Sequence, residues 1–210
     1  MNYPLVINSY GVVETQPLEP STRFGNANGI SLADKTMIDY WSWAFSDLVS
    51  NTDRGTLAEY IVAMAVGAAA PVRNSWASYD IEGLNGEKIE VKSSAYVQAW
   101  HQEKPSTIQF GIRKTREWLP ETNSFGSEKK RHSEVYVFCL LAEQQKERIN
   151  PLDLSQWEFY VLPTQLIDRL FGDKGTLSLN QVRQHATKLA VDEIGNAVRR
   201  ALPYTNSMQL

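Results

Sequence analysis

The sequence predicts an α+β (mixed α/β) fold, a central mixed β-sheet of about five strands flanked by helices. Helix-period apolar patterning fills residues 31–70 and returns after Pro163. Strand-like runs cluster between Trp76 and Leu162. Helices and strands are segregated rather than alternating, which favours α+β over a doubly wound sheet. With 210 residues, 42% hydrophobic and 21% charged, the chain fits one domain that buries a core without staples.

Residues 1–30 are rich in Pro, Gly, Asn and Ser and read as an irregular lead-in with room for one strand. Ser31 with Asp34 matches a helix-start pattern, and Met37, Tyr40, Trp41, Ala44, Phe45 and Leu48 follow at helical spacing. A second helix is expected from Thr52 or Asp53 to about Ala69, stopped by Pro71. It is apolar nearly all round, which predicts burial. Glu59 is its lone charge between Arg54 and Arg73. A buried carboxylate needs compensation; one of those arginines could supply it, or Glu59 serves chemistry.

Strands follow at Trp76–Glu82, Lys88–Tyr96, Thr107–Ile112, Glu134–Leu141 and Trp157–Leu162. Between the third and fourth, Arg113–His132 is polar, turn-rich and the most basic part of the chain. After Pro163 the pattern predicts a short helix, Gln165–Leu170, and a long one from about Asn180 to Leu202. One domain over residues 1–210 is therefore expected, with an irregular lead-in at 1–30 and a helical segment at 164–210.

Chemistry concentrates in the first and second predicted strands after Pro71. Ser78–Glu82, the Asn85-Gly86 turn and Lys88–Ser94 read as a hairpin. Lys88, Glu90, Lys92 and Ser94 share one strand face, opposite Ile89, Val91 and Ala95. A half-solvated strand shows the same alternation, and a second Glu-x-Lys, Glu128-Lys129-Lys130, sits in a loop, so the tripeptide alone decides nothing. The turn decides it. A two-residue loop would pair Asp80 with Val91 and face it away; the three-residue loop Leu84-Asn85-Gly86, with Gly86 left-handed, pairs Asp80 with Glu90. The three-residue form is predicted. Two carboxylates and an amine on a rigid sheet can hold a divalent cation and a polarised water, as a phosphodiesterase requires.

Glu59, Asp80, Glu90 and Lys92, in that order and spacing, resemble the PD-(D/E)xK, or restriction-endonuclease-like, nuclease superfamily. The pattern covers roughly residues 52–142. Tyr79 stands where the name-giving proline would be, and the helix expected after the third strand is not obvious in Arg113–His132. The resemblance implies a restriction-endonuclease-like core and a nuclease, most simply a DNA endonuclease of restriction, repair or defence type, with RNA as the other substrate. It implies Mg²⁺ (or Mn²⁺), one or two ions, on Asp80, Glu90 and the Val91 carbonyl, with Glu59 binding a second ion or orienting water. It implies an electrostatic role for Lys92, which should stay protonated between carboxylates. A homodimer is plausible by analogy alone. The alternative is a catalytically silent nucleic-acid-binding or scaffolding protein on the same fold.

Gln98 continues the parity of Glu90 and Lys92 and could join the site, or be an ordinary surface residue. Arg113, Lys114, Lys129, Lys130 and Arg131 are candidate phosphate contacts, or a solvated turn. A local basic face is needed because net charge is −3. His101, His132 and His185 lack metal-ligand spacing. The six tryptophans read mostly as core, with Trp100 and Trp118 able to stack on bases. Cys139, the single cysteine, lies in an apolar strand and reads as structural. No signal peptide is expected at Met1–Leu5, and Ile61–Val72 is too short to span a bilayer, so a cytoplasmic location is expected.

Overall fold

The computed structural model describes residues 4–26, 29, 31–67 and 72–202. Ala69 and Pro71, assigned above to the end of the second helix, lie outside these residues, as do 203–210. The lead-in holds more strand than expected. Strands β1 (Leu5–Ile7) and β2 (Val13–Thr15) pair antiparallel, as do β3 (Arg23–Gly25) and β4 (Ser31–Thr36). The helix expected from Ser31 therefore starts later, as α1 (Met37–Phe45). Its cap is Thr36, whose N–H donates to Asp39 at 2.9 Å. Ser31/Asp34 and Thr36/Asp39 carry the same spacing, and pairing with β3 takes the first for a strand.

Helix α2 (Asn51–Val66) is capped by Ser50, whose Oγ accepts from the Asp53 N–H at 3.3 Å, and ends on Gly67 at φ 73°. It is not buried all round. Arg54, Ala58, Ile61 and Val62 face inward, while Tyr60 is 61% and Met64 44% exposed. An apolar circumference gave burial no direction; the sheet chose one face.

The central sheet has four strands rather than five. These are β5 (Ile81–Glu82), β6 (Lys88–Ala95), β10 (Val135–Leu141) and β11 (Trp157–Pro163), in the order β11-β10-β6-β5. The missing member, β7 (Gln109–Gly111), pairs instead with β12 (Thr176–Ser178). Between them β8 (Trp118–Leu119) and β9 (Ser124–Phe125) form a small hairpin where the resemblance expects a helix. The β6–β10 pairing is parallel and β10–β11 antiparallel, so the sheet is mixed. The first predicted strand shrinks to two residues because 75–80 are turns and bends.

Every residue of β10 is buried, which requires cover on both faces. Val135, Val137, Cys139 and Leu141 pack with Ala58, Ile61 and Val62 of α2 and with Ile194 and Val198. Tyr136, Phe138 and Leu140 pack with Phe110, Ile167, Leu177 and Val182. The cover comes from α3 (Thr164–Phe171), α4 (Leu179–Arg183) and α5 (Ile194–Ala201). The single long C-terminal helix expected from Asn180 is thus two, because Leu189 leaves the helix to exchange backbone hydrogen bonds with Phe159 of β11. Where α5 crosses α2, a Cβ on Gly195 would lie 2.7 Å from the Ala65 carbonyl oxygen, so only glycine permits the approach. Of the tryptophans only Trp157 is a core residue, and Trp43, Trp76 and Trp100 are exposed. Cys139 is buried, as expected, and burial pushes its thiol pKa up. Among the described residues no helix is long and apolar enough to cross a membrane.

Candidate active site

The hairpin has the predicted register. Ile81 pairs with Ile89 and Glu82 with Lys88; carried one residue past the strand, where the Asp80 N–H donates to the Ile89 carbonyl at 3.1 Å, this register sets Asp80 beside Glu90. Gly83 N–H donates to the Glu87 carbonyl at 2.7 Å, leaving Leu84-Asn85-Gly86 as the loop, with Gly86 at φ 83°. Asn85 Nδ2 donates to Glu87 at 2.8 Å and fixes the turn.

Asp80 and Glu90 converge on Lys92. The ammonium lies 2.5 Å from Glu90 Oε1 and 3.8 Å from Asp80 Oδ2. Asp80 Oδ2 also accepts the Val91 N–H at 2.7 Å. In a strand a residue's N–H and C=O share a side, so the Val91 carbonyl faces the same sheet edge as Asp80. Ser133, just before β10, donates to Glu90 Oε2 at 3.2 Å. Burial first, and then the Glu90 charge, raise the Asp80 carboxyl to about 6. Burial pulls the Lys92 ammonium down, but Glu90 and Asp80 outweigh it and hold its pKa above the ordinary value. Lys92 is therefore a cation, not a base.

Glu59 lies near but is engaged elsewhere. Arg73 grips it through Nε and Nη2, the latter at 2.9 Å, and this pairing raises the Arg73 pKa. Glu59 and Asp80 share a cleft of about 410 Å³, while Asp80 and Glu90 share a second of about 260 Å³. Among the described residues no three His, Cys, Asp or Glu side chains are grouped to hold a metal. The donor set that is present is two carboxylates and a backbone carbonyl, hard oxygens suited to Mg²⁺ or Mn²⁺.

The remaining sequence candidates disperse. Strand β6 ends at Ala95, so the parity argument fails for Gln98, which is buried with Nε2 donating to the Ala95 carbonyl at 2.8 Å. Arg131 is a core residue, its side chain 0% exposed, bound to Asp168 and to the Ile112, Gly172 and Lys174 carbonyls. It holds loops together rather than gripping phosphate. Lys114 pairs with exposed Asp173 at 2.8 Å. Arg113, Lys129 and Lys130 are exposed without ion pairs to described residues, and none lines either Asp80 cleft.

Three neighbours escaped the sequence reading. Ser133 meets Glu90 only through parallel β6–β10 pairing, which sequence does not display. Ser78 Oγ donates to Glu117 at 3.0 Å, tying the basic excursion to the segment before Asp80. His132 Nε2 lies 2.9 Å from the Thr115 carbonyl, and its buried Nδ1 lacks a hydrogen-bond partner.

The family model for bacteriophage T4 endonuclease IV matches residues 33–181, more than half of the chain. The protein belongs to the bacteriophage T4 endonuclease IV family. The matched span contains Glu59, Asp80, Glu90 and Lys92 and omits β1–β3 and α5. Comparison with curated proteins gives no significant match. Membership in the endonuclease IV family supports a nuclease, and the acidic hairpin lies well inside the region that defines membership.

Proposed function

We propose that the protein is a divalent-metal-dependent DNA endonuclease of PD-(D/E)xK type, with Asp80, Glu90 and Lys92 as its catalytic residues. One observation carries the reading: the three-residue loop brings Asp80 opposite Glu90 and both onto Lys92. Family membership supports the substrate and bond class.

A bound Mg²⁺ or Mn²⁺ would supply Lewis-acid charge to the phosphate and a more acidic water. Asp80, Glu90 and the Val91 carbonyl would hold the ion. Ser133 keeps the Glu90 carboxylate oriented, and the Val91 N–H does the same for Asp80. Lys92, fixed as an ammonium, would position the attacking water and stabilise charge growing on phosphate oxygens. Glu59 could join only by exchanging Arg73 for a second ion or a water.

The test incubates closed circular DNA with Mg²⁺. The wild type should nick or linearise it, and Lys92→Ala should cut about 10²–10³-fold more slowly. Equal cutting by the variant would refute the assignment. The engagement of Glu59 by Arg73 favours a second reading, a binding protein without turnover. Calorimetric titration with Mn²⁺ decides: no heat beyond that of Asp80→Ala, even with DNA present, would support it.

A further inference from the structure

We infer that Arg116, Trp118 and Phe125 form a nucleotide subsite against Asp80 and Glu90, with Arg116 taking a phosphate and the aromatic pair stacking the adjoining base. The inference rests on the nuclease reading of that cleft and adds the residues that would set substrate position and preference.

The roughly 260 Å³ cleft is lined by Asp80 and Glu90, by residues 75–79 just before them, and by Thr115, Arg116, Trp118 and Phe125. Its size falls below the roughly 300 Å³ of a drug-sized ligand site, so it suits one nucleotide unit rather than a duplex. Arg116 is exposed and forms no ion pair with any described residue, whereas Arg73, Lys114, Arg131 and Arg183 all have carboxylate partners. Its planar fork fits two phosphate oxygens.

Phe125 is 64% exposed and meets Trp118 edge to face, centroids 5.2 Å apart at 71°. Neither ring belongs to either core cluster, so packing does not explain them. The hairpin that carries them is nevertheless firmly rooted. Gly126 N–H donates to the Glu117 carbonyl at 2.8 Å, Thr115 and Lys130 exchange backbone hydrogen bonds, and Ser78 holds the Glu117 carboxylate at 3.0 Å. An anchored stem with open aromatic rings beside a cation is the chemistry of base stacking next to a held phosphate.

The test is fluorescence anisotropy of 5′-fluorescein-labelled decathymidylate in EDTA, where no metal-dependent cutting occurs, over a range of NaCl. Phe125→Ala should weaken binding about tenfold with the salt slope unchanged, and Phe125→Tyr should restore it. Arg116→Ala should weaken binding and lower the slope by about 0.7. Both side chains changed are exposed, and unaltered circular dichroism should confirm folding. Wild-type affinity and slope in both truncations would overturn the subsite. Cutting of circular DNA without decathymidylate binding would also overturn it while sparing the nuclease reading. Variant effects on binding in a protein that cuts nothing would uphold the subsite and sink the nuclease.

Discussion

Asp80 is the residue where stability and chemistry oppose each other. Its carboxyl titrates near 6 when folded and near 3.8 as an ordinary aspartate, with burial the first cause. Between those values the native state binds more protons than the unfolded one, so stability falls as pH rises through the window and stays lower above it. Each pH unit corresponds to about 1.4 kcal/mol. Asp80→Asn keeps an acceptor for Val91 N–H and should raise the metal-free unfolding free energy by about 1–2 kcal/mol at pH 7.5, with no gain near pH 4, in urea titrations. Mn²⁺ affinity of the wild type should fall from pH 7.5 to pH 5 as Asp80 takes a proton. Arg131 is the opposite case. Arg131→Ala strands three carbonyls and Asp168, and should cost about 2–4 kcal/mol in urea denaturation while leaving the salt slope of DNA binding unchanged. That role was invisible in Lys129-Lys130-Arg131, because burial of the third cation depends on carbonyls at 112, 172 and 174. Asp80 facing Glu90 was legible because strand parity and turn chemistry are local.

At the scale of elements, the hairpin loop makes its own prediction. A Cβ added at Gly86 would meet only the Glu82 carboxylate, at an ordinary 4.0 Å, so Gly86→Ala should cost about 1 kcal/mol through its left-handed backbone, with Gly86→Asn costing less. Urea midpoints measure both, and an unchanged midpoint for Gly86→Ala would contradict the turn. Strands β6, β10 and β11 were readable because uninterrupted apolar or alternating runs admit few alternatives. The break between α4 and α5 was not readable: Val182, Ala186, Leu189, Ala190 and Ile194 keep helical spacing, and only the bridge from Leu189 to Phe159 overrides it. Strand β4 shows the same override, since β3 recruits residues whose own pattern starts a helix.

For the whole molecule, sheet membership was the quantity that sequence concealed. Phe110 sits on a strand as expected, but β12, about 65 residues later, is its partner, and that choice leaves the central sheet with four strands. Non-local pairing also governs β10. Its parallel neighbour β6 is separated from it by residues 96–134, so a long loop must close before the two can meet. Until then Val135–Leu141 is a seven-residue segment without charge, proline or glycine, able to join any open strand edge. Refolding from denaturant should therefore compete with self-association. Yield of native protein should drop as chain concentration rises from about 1 to 50 μM, and a concentration-independent yield would contradict this. The strand that makes the folded sheet secure is thus the chain's main hazard during its own assembly, which argues for rapid dilution and low temperature when the protein is prepared.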